Sequence, residues 1–169
     1  MVQYRRNFVP GGTYFFTVTL ADRRASLLKD HADALLAAIR RIRDLHPWQT
    51  DAMVILSDHL HAIWTLPDSD TDYTSRWRMM KALFTRTLRD RAATDHTPWQ
   101  SRYWEHTIRD ERDLAQHVAY VHYNPVKHGH AARPVDWQWS TIHRYIRDGQ
   151  LAEDWAVAPD LSVDESVDE

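Results

Sequence analysis

The order in which strand-like and helix-like patterns follow one another restricts the fold of this chain more than any other feature of its sequence. Four segments rich in β-branched, aromatic or consecutive apolar residues predict strands at residues 13–20, 51–57, 59–66 and 102–108. Apolar stripes at helical spacing predict helices over 27–46 and 74–91. The order β-α-β-β-α-β is that of the split βαβ, ferredoxin-like (RRM-like) fold, an α+β architecture in which an antiparallel sheet carries both helices on one face.

A third helix follows the last strand and lies outside this minimal pattern. It is predicted to start at Asp110 and to end near His122, because Pro125 cannot continue a helix. A short aromatic segment, WQWSTIHRYI, comes after it. We therefore expect the second face of the sheet to be open, or to be partly covered by this helix and the C-terminal aromatic residues.

Composition divides the chain into one domain, residues 1–150, and an acidic tail, residues 151–169. The tail holds seven of the 24 acidic residues and none of the 21 basic ones, so the body is mildly basic although the whole chain has a net charge of −3. Such a tail has little to bury and is predicted to be disordered. The sequence has no cysteine, no long apolar run and no secretory signal, so we expect a cytoplasmic protein without a membrane span.

The stretch HLHAIWTL in the third predicted strand contains a pair of histidines. Because side chains alternate along a strand, His59 and His61 are expected to point to one face and Leu60 to the other. Two neutral imidazoles on a rigid strand can bind a divalent cation, but a third ligand is needed. The alternative is a surface pair, or one packed histidine beside an exposed one.

A second cluster lies in AYVHYNPVKHG, residues 119–129. Tyr120 and Asn124 are four residues apart and share one face of the predicted helix. A phenol becomes a plausible nucleophile beside a divalent metal and a phosphodiester, because the metal offsets the negative charge of the phosphoryl group. The Asn124 carboxamide oxygen is a candidate third ligand. The alternatives are a tyrosine half-buried against the sheet and an asparagine that only marks a helix end.

A third cluster is the basic helix SRWRMMKALFTRTLRDR. Its cations could follow a phosphate backbone through salt-dependent contacts, or they could form a solvated face. Further basic residues flank the first strand, and one follows Asn124. The candidate DNA contacts are Arg5, Arg6, Arg23, Arg24, Arg76, Arg78, Lys81 and Lys127.

Taken together, these strings resemble one protein family. HLH resembles the His-hydrophobe-His (HUH) motif of single-tyrosine HUH transposases, and YVHYNPVKHG resembles the tyrosine helix of their REP-associated branch (RAYT). YRRNFVPGGTYFFTVTLADRR resembles the N-terminal segment of that branch. The other matching strings are SRWRMMKALFTR, YWEHTIRDERDL and WQWSTIHRYIRDG. The resemblance is collinear and spans about residues 4–150.

The resemblance implies a ferredoxin-like catalytic domain and assigns roles to residues. His59, His61 and Asn124 would bind Mg²⁺ or Mn²⁺, and Tyr120 would attack a phosphodiester of single-stranded DNA. The products would be a 5′-phosphotyrosyl enzyme and a free 3′-OH, and a hydroxyl would later rejoin the strand without ATP. The substrates implied are REP or BIME hairpins, and the enzyme is expected to work as a monomer with Tyr120 in cis.

The chain departs from the family pattern after Lys127. The family usually continues with Ala-Gly-Leu-Val, whereas residues 128–131 are His-Gly-His-Ala. These histidines could contact DNA or replace apolar packing.

Two other classes of protein share parts of the pattern. A HIT-like nucleotide hydrolase needs a third histidine where this chain has Ile63, so that interpretation fails at one residue. A non-catalytic single-stranded nucleic-acid-binding domain on an RRM-like sheet could use the aromatic residues of the first strand for stacking. Metal-dependent covalent attachment through Tyr120 separates the nuclease from such a binder.

Overall fold

The structure of the protein is a computed structural model, which describes residues 5–161. The strands are β1 (Thr13–Thr19), β2 (Gln49–Ile55), β3 (His59–Thr65) and β4 (Trp104–Thr107). The helices are α1 (Leu27–Asp30), α2 (Ala32–Leu45), α3 (Tyr73–Asp90), α4 (Glu111–Lys127) and α5 (Ile142–Arg147). A 3-10 turn at Pro134–Asp136 separates α4 from α5.

All four strands form one antiparallel sheet in the order β2-β3-β1-β4. Strand β3 is central, because His59 pairs with Thr19 of β1 and Leu60 pairs with Ile55 of β2. The ferredoxin-like α+β fold predicted from the order of elements is confirmed. Strand β3 is hydrogen-bonded on both sides, which favours a well-defined position for functional side chains on it.

Helices α2 and α3 cover one side of the sheet, which we call the first face. The core there is apolar and rich in aromatic rings, as the patterns of both helices require. Trp64 of β3 and Trp77 of α3 stack with ring centroids 4.2 Å apart, and Phe16 packs edge-on against both. The tryptophans nearest the sheet therefore serve the core and are not available to stack on bases.

The predicted helix over 27–46 is interrupted once. His31 has φ −121° and ψ 33°, outside the helical region, and separates the single turn α1 from α2. The backbone N–H of Leu28 donates to the carbonyl of Ser57, and the Leu28 side chain is buried. These contacts orient α1 differently from α2. They involve the β2–β3 loop, which is distant in sequence.

Helix α4 packs against β2 and β3 on the opposite side, the second face. Val121 joins a small apolar cluster with Phe15, Val54 and Ile63, so this face is covered. The prediction that α4 ends near His122 is wrong, because the helix continues through Pro125 to Lys127. Proline is tolerated here because it lies in the last turn, where its missing N–H costs one hydrogen bond and the later carbonyls are capped from residues 128–131.

The start of the predicted tail is described and is irregular. The Trp155 ring lies 6.4 Å from that of His122, and Leu161 packs against the second-face cluster. Residues 162–169, which hold four of the tail's acids, lie outside the described residues, so the predicted disorder there stays a prediction. Within residues 5–161, no helix combines the length and the apolar character that crossing a bilayer requires.

Candidate active site

The two histidines of β3 lie on the second face, beneath α4. Leu60 belongs to the first-face core, whereas the rings of His59 and His61 meet at a centroid distance of 4.9 Å on the other side. His59 is 4% exposed and His61 is fully buried. The alternating placement predicted from the sequence is therefore present, and a surface pair is excluded.

Hydrogen bonds fix which nitrogen each ring can offer. Nδ1 of His59 lies 2.9 Å from a carboxylate oxygen of Asp58, and Nδ1 of His61 lies 2.9 Å from the Thr17 hydroxyl. Both rings can therefore present Nε2, and that of His61 is buried without a hydrogen-bond partner among the described residues. An imidazole oriented through one nitrogen, with the other left for a ligand, is typical of metal-binding histidines.

Electrostatics keep the ring of His61 neutral. Burial is the main cause that lowers the pKa of His61 well below its usual value, and the nearby His59, His128 and Lys127 lower it further. A neutral imidazole retains the lone pair that a metal needs, so burial prepares His61 for coordination.

Asp58 links His59 to a basic residue that was predicted to contact DNA. Its carboxylate accepts hydrogen bonds from Nδ1 of His59 and from Nε of Arg23. Burial raises the pKa of Asp58, but these hydrogen bonds outweigh it and hold the pKa far below its usual value. Arg23 thus acts on His59 through Asp58, in addition to any contact that it makes with a ligand.

Helix α4 carries Tyr120 and Asn124 to the same place. The Tyr120 ring is 1% exposed and lies edge-on to His61, with centroids 5.3 Å apart. Asn124 is fully buried beside His61 without forming a well-aligned hydrogen bond to it. Neither polar atom of its carboxamide has a hydrogen-bond partner within residues 5–161, a costly state for a buried amide.

The last turn of α4 brings two more side chains to this cluster. The Lys127 ammonium donates to the Tyr120 hydroxyl at 3.3 Å and lies 4.9 Å from the centre of the ring. The His128 ring is 5.1 Å from that of His59. Lys127 was predicted as a DNA contact, and its place beside the phenol oxygen was not foreseen.

These donors suit a divalent cation. Nε2 of His61 and the Asn124 carboxamide are buried polar atoms without a hydrogen-bond partner among residues 5–161. Nε2 of His59 takes no part in the bond that holds Nδ1. Two imidazole nitrogens and a carboxamide oxygen are ligands that divalent cations accept in proteins. The residues present therefore fit the group that the HUH resemblance implies.

Arg76 requires a correction. It was predicted to contact DNA, but it is 4% exposed and its guanidinium forms a salt bridge of 2.7 Å with Asp70. It also donates to the carbonyls of His46, Pro47 and Asp72. All three nitrogens of the guanidinium form hydrogen bonds inside the protein. Arg76 therefore links the start of α3 to the α2–β2 loop and is not placed to contact phosphate.

The other predicted basic residues fall into two groups. Arg24, next to Arg23, is almost fully exposed and pairs loosely with Asp22. Arg6, Arg78 and Lys81 lie towards the first face, across the sheet from Tyr120. Arg6 forms a salt bridge with Glu105, and its guanidinium lies over the Tyr103 ring. Lys81 donates to the carbonyl of Gln100. Arg5 and Arg78 are exposed. Burial, with the charge of Arg6, lowers the pKa of Lys81 to about 8.

One group of site-like residues was missed. His106 of β4 and two residues of α4, Asp113 and His117, form the only set of at least three His, Cys, Asp or Glu ligand atoms in residues 5–161 that converge closely enough to hold a metal ion. The signal available in the sequence was the spacing of Asp113 and His117, four residues apart on one predicted helix.

Fold and site together define a ferredoxin-like domain in which a helix presents a tyrosine and an asparagine to a histidine pair on the central strand. No family model matches the chain. The REP-associated tyrosine transposase of Escherichia coli (strain K12) is 44% identical over 156 residues, which cover 92% of each chain. A protein of Haemophilus influenzae assigned to the same family is 40% identical and covers 96% of this chain and 98% of its own length.

A solved structure agrees with these relatives. A REP-associated tyrosine transposase bound to a REP hairpin superposes with a TM-score of 0.89, at 42% identity and with 96% of each chain covered. The chain therefore belongs to the family of REP-associated tyrosine transposases.

Proposed function

We propose that the protein is a metal-dependent, single-stranded DNA endonuclease and strand transferase that acts on REP-type hairpins through a 5′-phosphotyrosine. The observation that carries the proposal is the meeting of Tyr120 with His59, His61 and Asn124 on the second face. The related structure with 42% identity contains a REP hairpin, which supports the choice of substrate.

Three residues would hold the cation, namely His59, His61 and Asn124. Mg²⁺ or Mn²⁺ bound there would polarise the scissile phosphodiester and offset its negative charge. The hydrogen bonds that the two rings form with Thr17 and Asp58 keep the rings oriented for that task. Because neutral histidines are required, the site loses its affinity for the cation when the rings are protonated.

Tyr120 is the proposed nucleophile. Its hydroxyl oxygen forms a bond to phosphorus as the bond between phosphorus and the 3′ oxygen breaks, and the leaving oxygen takes up a proton to become the free 3′-OH. Lys127 lies against the phenol oxygen, where its positive charge favours the negative charge that develops as the proton leaves. In the rejoining step a 3′-OH attacks the same phosphorus and Tyr120 departs, so the phosphodiester energy is kept.

Access to the site requires movement. Tyr120, His59 and His61 are each almost completely covered, so DNA can reach them only when part of the cover is displaced. His128 follows directly after α4 and its ring lies against His59. We therefore propose that the end of α4 and the turn after it move to let DNA reach the site.

The donor residues all come from one chain. His59 and His61 meet Tyr120 within a single copy, which supports a monomer that acts with its tyrosine in cis. Since its proposed substrate is cellular DNA, we place the protein in the cytoplasm. The alternative of a pure nucleic-acid binder is disfavoured, because Tyr14, Phe15 and Phe16 of β1 are fully buried and cannot stack on bases.

The test is formation of a covalent adduct. A single-stranded oligonucleotide with a REP-type hairpin and its flanks is incubated with protein and Mn²⁺, with and without EDTA, and separated on a denaturing gel. We expect a protein–DNA band that needs the metal and is lost in Tyr120→Phe. Tyr123→Phe, which removes a hydroxyl from the same helix, is the matched control and keeps the band. A native-gel shift without any adduct would favour the binder.

A further inference from the structure

A buried group of three side chains joins the edge strand β4 to the first half of α4, apart from the Tyr120 cluster. One ring nitrogen each of His106 and His117 and one carboxylate oxygen of Asp113 lie within 4.8 Å of one another. We propose that the His106–Asp113–His117 group binds a transition-metal cation of the zinc type, which clamps the tyrosine-bearing helix to the sheet.

The donor set selects the class of ion. Mg²⁺ and Ca²⁺ prefer sites built from oxygen ligands, whereas two of these three donors are imidazole nitrogens. Two histidines and one carboxylate are a set that Zn²⁺ accepts, with water as a fourth ligand. His106 is the most exposed member, with 28% of its side chain accessible, and it provides the path by which the ion and that water enter.

The distances leave room for an ion after small shifts. A carboxylate oxygen of Asp113 lies 2.9 Å from Nε2 of His106, and the other lies 3.1 Å from Nδ1 of His117. Ligands at about 2.0–2.2 Å from a tetrahedral Zn²⁺ are roughly 3.3–3.6 Å apart. Each nitrogen therefore has to move about half an ångström from its carboxylate oxygen, and the stacked rings have to turn so that the lone pairs of both meet at the ion.

The hydrogen bonds within the group can be replaced by bonds to an ion. Without an ion, the carboxylate of Asp113 accepts from Nε2 of His106. Nδ1 of His117 donates to the backbone carbonyl of Asp113 at 2.8 Å, with a carboxylate oxygen 3.1 Å away, and this nitrogen gives up that bond when it binds an ion. Each neutral imidazole can carry its proton on either nitrogen, so a ring can turn its lone pair to the ion by changing tautomer. The carboxylate keeps its bond from the backbone N–H of Arg109, at 3.0 Å.

The surroundings hold the three donors in place beforehand. Asp113 lies in the first turn of α4, where its own backbone N–H donates to Asp110 at 2.8 Å. The rings of His106 and His117 stack almost in parallel, with centroids 4.6 Å apart, and Phe15 packs on His117 at 4.9 Å. These contacts keep the three donors close together before an ion binds.

The place of this group explains what an ion there would do. His117 and Tyr120 lie about one turn apart on α4, and Phe15 contacts His117, Tyr120 and His61. An ion shared by β4 and α4 would fix the position of Tyr120 above β3. This role does not depend on the reaction proposed for Tyr120.

The experiment is a calorimetric titration of the metal-free full chain with Zn²⁺, without DNA. His59→Ala/His61→Ala removes the other histidine pair, and we expect this variant to keep one equivalent of bound Zn²⁺. Adding His106→Gln should weaken that binding more than about 100-fold. Adding His96→Gln instead, a change at an exposed histidine in a loop, should leave it unchanged. No binding to the double variant, or binding that His106→Gln does not alter, would overturn the proposal.

A second measurement uses the unmodified protein and so does not depend on the folding of any variant. Long-range ¹H–¹⁵N spectra report the ring nitrogens of each histidine. Addition of Zn²⁺ should move the signals of His106 and His117, and signals that stay in place would contradict the site. Since neither measurement involves DNA, failure of the proposed nuclease activity would be seen separately.

Discussion

The two faces of the sheet are built from different kinds of side chain. The first face is an aromatic and aliphatic core in which Phe16, Trp64 and Trp77 interlock. The second face has only a small apolar cluster and holds the buried polar residues His59, His61, His117, His122 and Asn124. We therefore expect the first face to supply most of the stability, because the burial of polar side chains on the second face costs free energy.

The largest effect is expected from removing an aromatic ring on the first face. Trp64→Ala leaves a cavity between two stacked rings and should lower the free energy of unfolding by about 3–5 kcal/mol. Urea denaturation measures the change. The matched second-face variant, His61→Leu, should change stability by less than about 1.5 kcal/mol. Equal losses at the two positions would remove the distinction between the faces.

Acid should weaken the second face before the first. Burial lowers the pKa of His122 to about 3, and it also lowers the pKa values of His61 and His117. The unfolded chain binds these protons more readily, so this contribution to stability is present above pH 6.5 and falls as the pH drops towards the folded values. For His122 alone, the loss from neutral pH to pH 5 is about 2 kcal/mol.

Urea denaturation at pH 8 and pH 5 measures this loss. His122→Gln keeps a partner for the Thr141 hydroxyl, which lies 2.8 Å from His122, and removes the titration. The variant should therefore show a correspondingly smaller difference between the two pH values. An unchanged pH dependence in His122→Gln would contradict the argument.

Asn124 is expected to cost stability. Its carboxamide is buried without hydrogen bonds inside residues 5–161, so Asn124→Leu, a change of similar size, should raise the free energy of unfolding by about 1–2 kcal/mol. The same variant should form no covalent adduct at low Mn²⁺. Thermal unfolding measures the expected gain in stability, and the gel assay measures the expected loss of the adduct. A variant that is both less stable and fully active would refute it.

Lys127 should affect the rate of adduct formation. Lys127→Met removes the ammonium from the Tyr120 hydroxyl and should slow formation of the adduct by about 10-fold, with less loss in Lys127→Arg. Single-turnover rates over a range of pH separate this role from DNA binding. If Lys127 contacted only phosphate, saturating DNA would restore the rate.

The smallest effect is expected from single cations on the first face. Arg78 is exposed, and if it meets a phosphate, Arg78→Ala should weaken hairpin binding a few-fold and reduce the salt slope by about one. Buried Arg76 is the contrast, because Arg76→Ala should lower stability and leave the salt slope unchanged. Fluorescence anisotropy over a salt series measures both.

The sequence predicted what depends on local periodicity. Alternation along a strand placed His59 and His61 on one face, and helical spacing placed Tyr120 and Asn124 on another element facing them. The order of the elements then specified the ferredoxin-like sheet in which β3 is central. These inferences need no knowledge of contacts between distant segments.

The features that could not be predicted from the sequence depend on contacts between distant segments. The break at His31 follows from the Leu28–Ser57 hydrogen bond, and the burial of Arg76 follows from acceptors in the α2–β2 loop. The rule that proline cannot continue a helix placed the predicted end of α4 too early. The free energy that Pro125 costs depends on its distance from the end of the helix. The His106–Asp113–His117 group joins two elements, so only part of it was visible as a helical spacing.

The central claim is that Tyr120 is the residue that joins DNA. The most direct measurement is mass spectrometry of peptides from the protein after reaction with a hairpin oligonucleotide and Mn²⁺, followed by nuclease digestion. The account predicts a single modified peptide that carries a nucleotide 5′-phosphate on Tyr120 and is absent when EDTA is added. A 5′-phosphate on any other residue, or a linkage through a 3′-phosphate, would contradict it.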